Sequence, residues 1–174
     1  MRVTLIAAQS LDGFITRHDR PGSDFTSAAD HAFFRVSLRA FDCCAMGRVT
    51  YEASREGFKL GGRSWRRAVL TRTPEKHAAA AVAGELEFTA ATPGELVASF
   101  RSEGRRACAL LGGAQINARF FAAGLVDEVW LTLEPRLFGS GTKLVAEPTD
   151  IRLRWLSHTP LEGGTWVAKY EVEK

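Results

Sequence analysis

Two short stretches of the chain carry the residue types that hold a phosphate group at the end of a strand. Met46-Gly47-Arg48-Val49-Thr50-Tyr51 joins an apolar run to a helix-like stretch. There a glycine lets a ligand approach the backbone, an arginine supplies a guanidinium fork, and a threonine sits among the free N–H groups of a starting helix. Leu111-Gly112-Gly113-Ala114-Gln115 repeats the arrangement with two glycines after a buried run and a helix beyond them. A glycine turn of this kind is by itself more often only a turn. Two in one open sheet can serve the two ends of a dinucleotide, because ligands gather at the C-terminal ends of strands. Neither is the G-x-G-x-x-G fingerprint, which disfavours a Rossmann domain while leaving a dinucleotide in play.

The elements that must position these junctions read as an α/β chain. Residues 2 to 9 are continuously apolar or β-branched and end in Ser10-Leu11-Asp12-Gly13, a strand buried on both faces followed by a loop in which Asp12 can also cap its own turn. Ser27-Ala28-Ala29-Asp30 has the makeup of a capping box, and Phe33, Phe34, Val36, Leu38 and Phe41 supply the apolar face of the helix it opens. Asp42 to Met46 predicts a second strand and Thr50 to Glu56 a short helix broken by Gly57, Gly61 and Gly62. Arg67 to Thr71 and Leu86 to Thr89 follow as strands, Thr92-Pro93-Gly94-Glu95 starts a helix, Ala107 to Leu111 is a strand, and Gln115 to Ala123 is a helix stopped by Gly124. The last three strands, Val126 to Glu134, Ile151 to Leu156 and Trp166 to Glu173, have no helix between them and are expected to be antiparallel. The pattern predicts one domain over residues 1 to 174: a three-layer α/β/α sandwich, mainly parallel, with antiparallel C-terminal strands.

Composition excludes several classes. With 174 residues, 45% hydrophobic and 25% charged, the chain is an ordinary globular protein. The net charge of +3 is spread over short basic pairs among 20 acids, with no basic arm or zinc-finger spacing, so no nucleic-acid partner is expected. No apolar stretch approaches the roughly 20 residues of a membrane helix, and the N-terminal run is a poor signal peptide, so the expectation is a cytoplasmic protein without a membrane partner. Cys43, Cys44 and Cys108 read as buried thiols, and His18, His31, His77 and His158 lie in no metal-binding spacing, so no metal is expected.

Taken in order, Ser10-Leu11-Asp12-Gly13, Gly47-Arg48-x-Thr50-Tyr51, Val69-Leu70-Thr71-Arg72, Leu111-Gly112-Gly113, Gly124-Leu125-Val126-Asp127-Glu128 and Pro135-Arg136-Leu137-Phe138-Gly139-Ser140-Gly141 occur as they do in one family. From residue 2 to residue 173 the chain resembles the RibD C-terminal reductases, in a stand-alone bacterial form, whose fold is that of dihydrofolate reductase. The resemblance implies an NADPH-dependent oxidoreductase of riboflavin biosynthesis or a related pathway. It would deliver hydride to a pterin-like or ribosylaminouracil-type small molecule, as a 5-amino-6-(5-phosphoribosylamino)uracil reductase or a dihydrofolate reductase does, and would form a homodimer. By position it implies that Gly47 and Thr50 meet the pyrophosphate, that Arg48, Thr71 and Arg72 meet the adenosine 2′-phosphate, and that Gly112, Gly113, Ala114, Gln115 and Ile116 line the pyrophosphate and nicotinamide side. Ala8 and the loop from Asp12 to Ile15 would border nicotinamide and substrate, and Phe34 the substrate. Asp30 resembles the catalytic acid that binds a pterin's amidine edge, although an acid in a first helical turn also stabilises the helix by roughly 0.3 to 1 kcal/mol. Residues 21 to 27 lack the tryptophan and proline pattern of true dihydrofolate reductases, and no fused zinc deaminase signature is present. The alternative reading is a non-catalytic NADP-binding sensor or interaction module.

Overall fold

The computed structural model describes residues 1–57 and 65–174; the expected breaks at Gly61 and Gly62 lie outside them. Strand β1 (Arg2–Ser10) is followed by α1 (Ala28–Ser37), β2 (Cys43–Gly47) and α2 (Arg48–Ser54). Next come β3 (Arg66–Leu70), β4 (Leu86–Thr89), α3 (Pro93–Ser102), β5 (Ala107–Leu110) and α4 (Ala114–Ala122). Three strands close the chain: β6 (Glu128–Glu134), β7 (Leu153–Pro160) and β8 (Trp166–Val172). They form one eight-stranded sheet in the order β4-β3-β2-β5-β1-β6-β8-β7.

Each face of the sheet has its own core. Val3, Leu5, Cys43, Ala45, Ala68 and Leu70 pack under Leu96, Val97 and Phe100 of α3 and Phe120 of α4. Ile6, Cys44, Met46, Val69 and Ala109 point the other way, against Phe34 and Leu38 from the α1 side and Tyr51 of α2. This is why β2 reads as an unbroken apolar run: every residue of it is buried. The three cysteines lie in these strands, and burial pushes the Cys44 thiol up to about 12, leaving it no nucleophilic character at neutral pH.

Helix starts follow local chemistry. In α3 the Thr92 N–H donates to Glu95 Oε2 at 2.8 Å and the Glu95 N–H to Thr92 Oγ1 at 3.3 Å, a complete capping box. In α1 only half of the expected box forms, the Asp30 N–H donating to Ser27 Oγ at 3.1 Å. The buried side of α1 carries Asp30 and Ser37, with Phe33 and Phe34 half-buried, so Val36 falls out of phase and is 60% exposed rather than in the core.

The late strands form the expected antiparallel set on an otherwise parallel sheet. Strand β6 runs parallel to β1, from Thr4↔Glu128 to Ser10↔Glu134, and is antiparallel only to β8, which in turn pairs antiparallel with β7. Strand β7 runs to Pro160 instead of ending near Leu156. A bulge between Trp155 and Ser157, together with exposure of every residue in the strand, removes the alternation by which a strand end is recognised.

Beyond β1, residues 11 to 18 zip against residues 136 to 142. The Leu11 N–H donates to the Arg136 carbonyl and the Ile15 N–H to the Thr142 carbonyl, at 2.9 and 2.8 Å. Asp12 is the clamp. Its carboxylate accepts from the Phe138 N–H at 3.0 Å, the Gly139 N–H at 2.7 Å and the Ser10 hydroxyl at 2.5 Å. These bonds, the Ser10 hydroxyl foremost, hold its carboxyl at about 2, below the ordinary 3.8. The charged form therefore stabilises the loop pair above the ordinary carboxylate range, and that contribution disappears as pH falls through the folded value. Asp12→Asn should lower the melting temperature at neutral pH, with the gap from the unmutated protein closing as both are melted at successively lower pH. A gap that stays constant down to about pH 2 would contradict the clamp.

Candidate functional site

The crevice of this sheet lies between β1 and β5. They are neighbours, yet the chain leaves β1 for α1 on one face and leaves β5 for α4 on the other, the switch in direction at which a crevice opens beyond strand ends. The two strands also differ in reach. Their last paired residues are Leu5 and Leu110, after which β1 continues to Ser10 along β6 while β5 turns away. Ala7, Ala8 and Gln9, half-buried, thus have no strand partner on the β5 side among the described residues. An edge of backbone N–H and C=O groups there can bind a planar amide.

Both expected cradles end at this crevice and touch each other. The Gly47 N–H donates to the Gly112 carbonyl at 2.6 Å, joining the end of β2 to the turn after β5. A Cβ on Gly47 would lie 2.9 Å from Ile116 Cγ1, so only glycine permits the approach. Gly112 has φ +82° and precedes a cis peptide bond to Gly113, and a Cβ on Gly113 would come within 3.4 Å of Thr50 Oγ1. The glycines thus keep open a strip of backbone that ends at the first turn of α4, where Ala114, Gln115 and Ile116 follow. Asn117, 1% exposed, braces the strip from below by donating from Nδ2 to the Leu144 carbonyl at 2.8 Å. Gly47 itself caps α2, which starts at Arg48, two residues earlier than the sequence reading.

The basic side is more open. Arg48 is exposed and pairs with Glu52, one helical turn on, at 2.6 Å. The Thr71 N–H donates to the Thr89 carbonyl, ending β3, and its hydroxyl accepts from the Thr73 N–H at 3.3 Å; Arg72 beside it is exposed. These three residues stand at the ends of β2 and β3, neighbouring strands of the sheet.

On the opposite face, α1 lays Asp30, only 8% exposed, against β6. Burial raises the Asp30 carboxyl above its ordinary value; hydrogen bonding from Thr132 opposes this, and the charge of Glu134 adds to it. Glu134, 2% exposed, accepts hydrogen bonds from the Ser27 N–H and hydroxyl and from the Thr165 hydroxyl. Phe34 lies half-buried on the same side of α1, and Ile15 is held in the loop ribbon by its bond to Thr142. Asp12 borders this end of β1, but its oxygens are engaged by Ser10, Phe138 and Gly139. Thr132, Glu134 and Asn117 escape the sequence reading. Asn117 has a signal, as a polar residue in the buried phase of α4 with Ala114, Ala118 and Phe120; Thr132 and Glu134 have none, because they alternate with the apolar Val129, Leu131 and Leu133. A surface hollow of about 590 Å³, lined by Phe121, Gly124, Val126, Ile151 and Arg152 among others, opens at the far end of the sheet and contains none of the expected residues.

The fold is shared with solved structures of low sequence identity. A protein from Shewanella sp. PV-4 assigned to riboflavin biosynthesis superposes with a TM-score of 0.75 at 20% identity, covering 100% of both chains. Acinetobacter baumannii RibD gives 0.79 at 16% identity; 99% of this chain matches 58% of that one. Enterococcus faecalis dihydrofolate reductase, complexed with NADP(H), gives 0.72 at 15% identity and covers 99% and 97% of the two chains. No curated protein sequence matches the chain. The RibD C-terminal domain pattern matches residues 1–167, nearly the whole length, and the chain belongs to the RibD C-terminal domain family.

Proposed function

We propose that this protein is a single-domain NADPH-dependent reductase that delivers hydride to a C=N or open-chain carbonyl carbon of a pterin-like or ribosylaminouracil-type compound. The observation that carries this reading is the Gly47–Gly112 contact at 2.6 Å beside the unpartnered edge of β1, with a buried acid across the sheet. The glycines there fit a dinucleotide: side chains on Gly47 or Gly113 would fill the strip a pyrophosphate needs. NADPH, when bound, supplies the hydride; the remaining tasks fall to the chain. Gly47, Thr50, Gly112, Gly113 and the N–H groups of Ala114, Gln115 and Ile116 would hold the pyrophosphate at the start of α4, and Arg48, Thr71 and Arg72 the 2′-phosphate. Ala8 and Ile15 would border the nicotinamide and exclude water from it. Asp12 and Phe34 would flank the substrate, and Asp30 would bind its amidine edge and stabilise the proton at the nitrogen beside the carbon that is reduced.

NADPH should bind more tightly than NADH, which lacks the 2′-phosphate. A charge-assisted hydrogen bond contributes roughly 1.5 to 3 kcal/mol, so Arg48→Ala should weaken NADPH binding by about 10- to 150-fold and leave NADH nearly unchanged. Since Glu52 competes for the Arg48 guanidinium, Glu52→Gln should tighten NADPH binding and not NADH binding. Fluorescence titration of both cofactors checks this, and equal affinities in the unmutated protein would remove the assignment of Arg48.

Asp30→Asn should keep the fold and NADPH affinity while lowering turnover by roughly 10- to 10,000-fold, measured as loss of absorbance at 340 nm with dihydrofolate and the riboflavin-pathway aminouracil. The same substitution should stabilise the protein. A buried acid whose folded value is raised loses stability as pH climbs from the ordinary 3.8 through that folded value, so the gain in melting temperature should be present at neutral pH and vanish in acid. Turnover within twofold of the unmutated enzyme would leave Asp30 as a helix-start acid only.

The proposal includes a homodimer. It is supported by β7, which ends the sheet and exposes Leu153, Trp155 and Leu156 on an edge that no described strand pairs. Sedimentation should show a dimer, and a monomer at every concentration would remove this part.

A further inference from the structure

Ordinary capping chemistry does not account for how α1 begins. In a capping box the residue at the third helical position reaches back to the N–H of the capping residue. Here that position is Asp30 and the cap is Ser27, but the Ser27 N–H donates to Glu134 Oε1 at 2.8 Å, and the Ser27 hydroxyl donates to the same oxygen at 2.9 Å. The Ser27 oxygen in turn accepts from the Asp30 N–H at 3.1 Å. One hydroxyl therefore links the Glu134 carboxylate to the backbone N–H of Asp30. The second oxygen of Glu134 accepts from the Thr165 hydroxyl, itself 2% exposed, at 3.0 Å, which ties the arrangement to the loop before β8. Three donors aimed at two oxygens suit the charged carboxylate, which has acceptor sites only.

We propose that Glu134 is the positioning residue for Asp30: it takes over the helix cap, releases the Asp30 carboxyl toward the substrate side, and places a fixed negative charge beside it. The meaning of Asp30 as the acid that meets substrate rests on the reductase reading above; the link from Glu134 through Ser27 to the start of α1 does not. Glu134 on β6 opposes its ionisation, while Thr132 on β6 and His31 and Thr26 near the helix start favour it. His31 is itself engaged with Thr26 at 2.7 Å, and on β8 the Lys169 amine lies over the Trp130 ring at 3.7 Å. With Glu134 charged, Asp30 keeps its proton to higher pH than it would beside a neutral residue at that position.

Glu134→Gln removes the charge and preserves the shape. The test is a carbon-13 NMR titration of the Asp30 carboxyl in ligand-free protein, with a pH profile of kcat/KM for NADPH oxidation run beside it on dihydrofolate and the aminouracil. In the Gln variant the Asp30 midpoint should fall by roughly one unit, the size of effect a neighbouring like charge produces. The alkaline limb of kcat/KM should move down with it, and NADPH affinity should stay within about twofold. Should the Gln variant not fold, Ser27→Ala gives the complementary result: the charge stays, so the Asp30 midpoint must remain raised while the plateau of kcat falls. An Asp30 midpoint unmoved in folded Glu134→Gln, or one that drops to the ordinary carboxylate value in Ser27→Ala, overturns the proposal. Absence of turnover with either substrate would count against the reductase reading and leave the NMR result to decide the role of Glu134.

Discussion

The hydrogen bond from the Gly47 amide to the Gly112 carbonyl is the contact on which the arrangement of this crevice depends. It joins two strand ends that are neighbours in the sheet but 65 residues apart by number, and it forms only because no side chain stands at position 47. A methyl group there would meet Ile116, a residue of the helix that follows Gly113. Moving α4 aside to relieve that clash would disturb Phe120, which is fully buried on the same helix, and with it the core shared with α3. The glycine-lined side of the crevice and the packing of α4 on its face of the sheet therefore share one steric condition.

Asp30 illustrates the opposite economy. Its burial opposes the charged form, and the structure adds a second acid beside it where a cation would have relieved the strain. Such an arrangement makes no sense as stabilisation. It has a clear rationale at a site where a carboxyl must hold its proton above the ordinary carboxylate range, since like charges in a dry setting spread the proton affinities of two acids apart. Thr132 moderates the effect by hydrogen bonding, so the balance lies among three neighbouring side chains on β6 and α1.

How far the sequence reveals the molecule depends on whether a feature is local. The glycine junctions, the Thr92 capping box and the doubly buried strands are written in consecutive residues, and the structure has them where those residues predict. The pairing of β6 is not local. Alternation in Val129, Leu131 and Leu133 identifies a strand, but whether it lies parallel to β1 is decided by which edge of β1 remains free after β5 has taken the other. Glu134 is hidden for the same reason. Ahead of Pro135, at the end of an alternating strand, an acid reads as solvated; only α1 lying against β6 and β8 pairing beside it put Ser27 and Thr165 on its two oxygens. Val36 shows the reverse error, an apolar residue placed in the core by type when the helical phase set by Asp30, Phe33, Phe34 and Ser37 turns it to solvent.

The division of the site between the two faces of the sheet follows from these constraints. The cradle belongs to α4 and β2, and the acid to α1 and β6, with β1 between them. A group held by the cradle can meet a group held by Asp30 only past the stretch of β1 that β5 leaves uncovered, from Ala7 to Gln9. Those residues combine small or slender side chains with an open backbone edge, which allows close approach from both sides. The end of β5 after Leu110 is thus what brings the glycine cradle and the Asp30 side to one stretch of β1, and the turn that ends it is made by the same glycine pair that receives the Gly47 hydrogen bond.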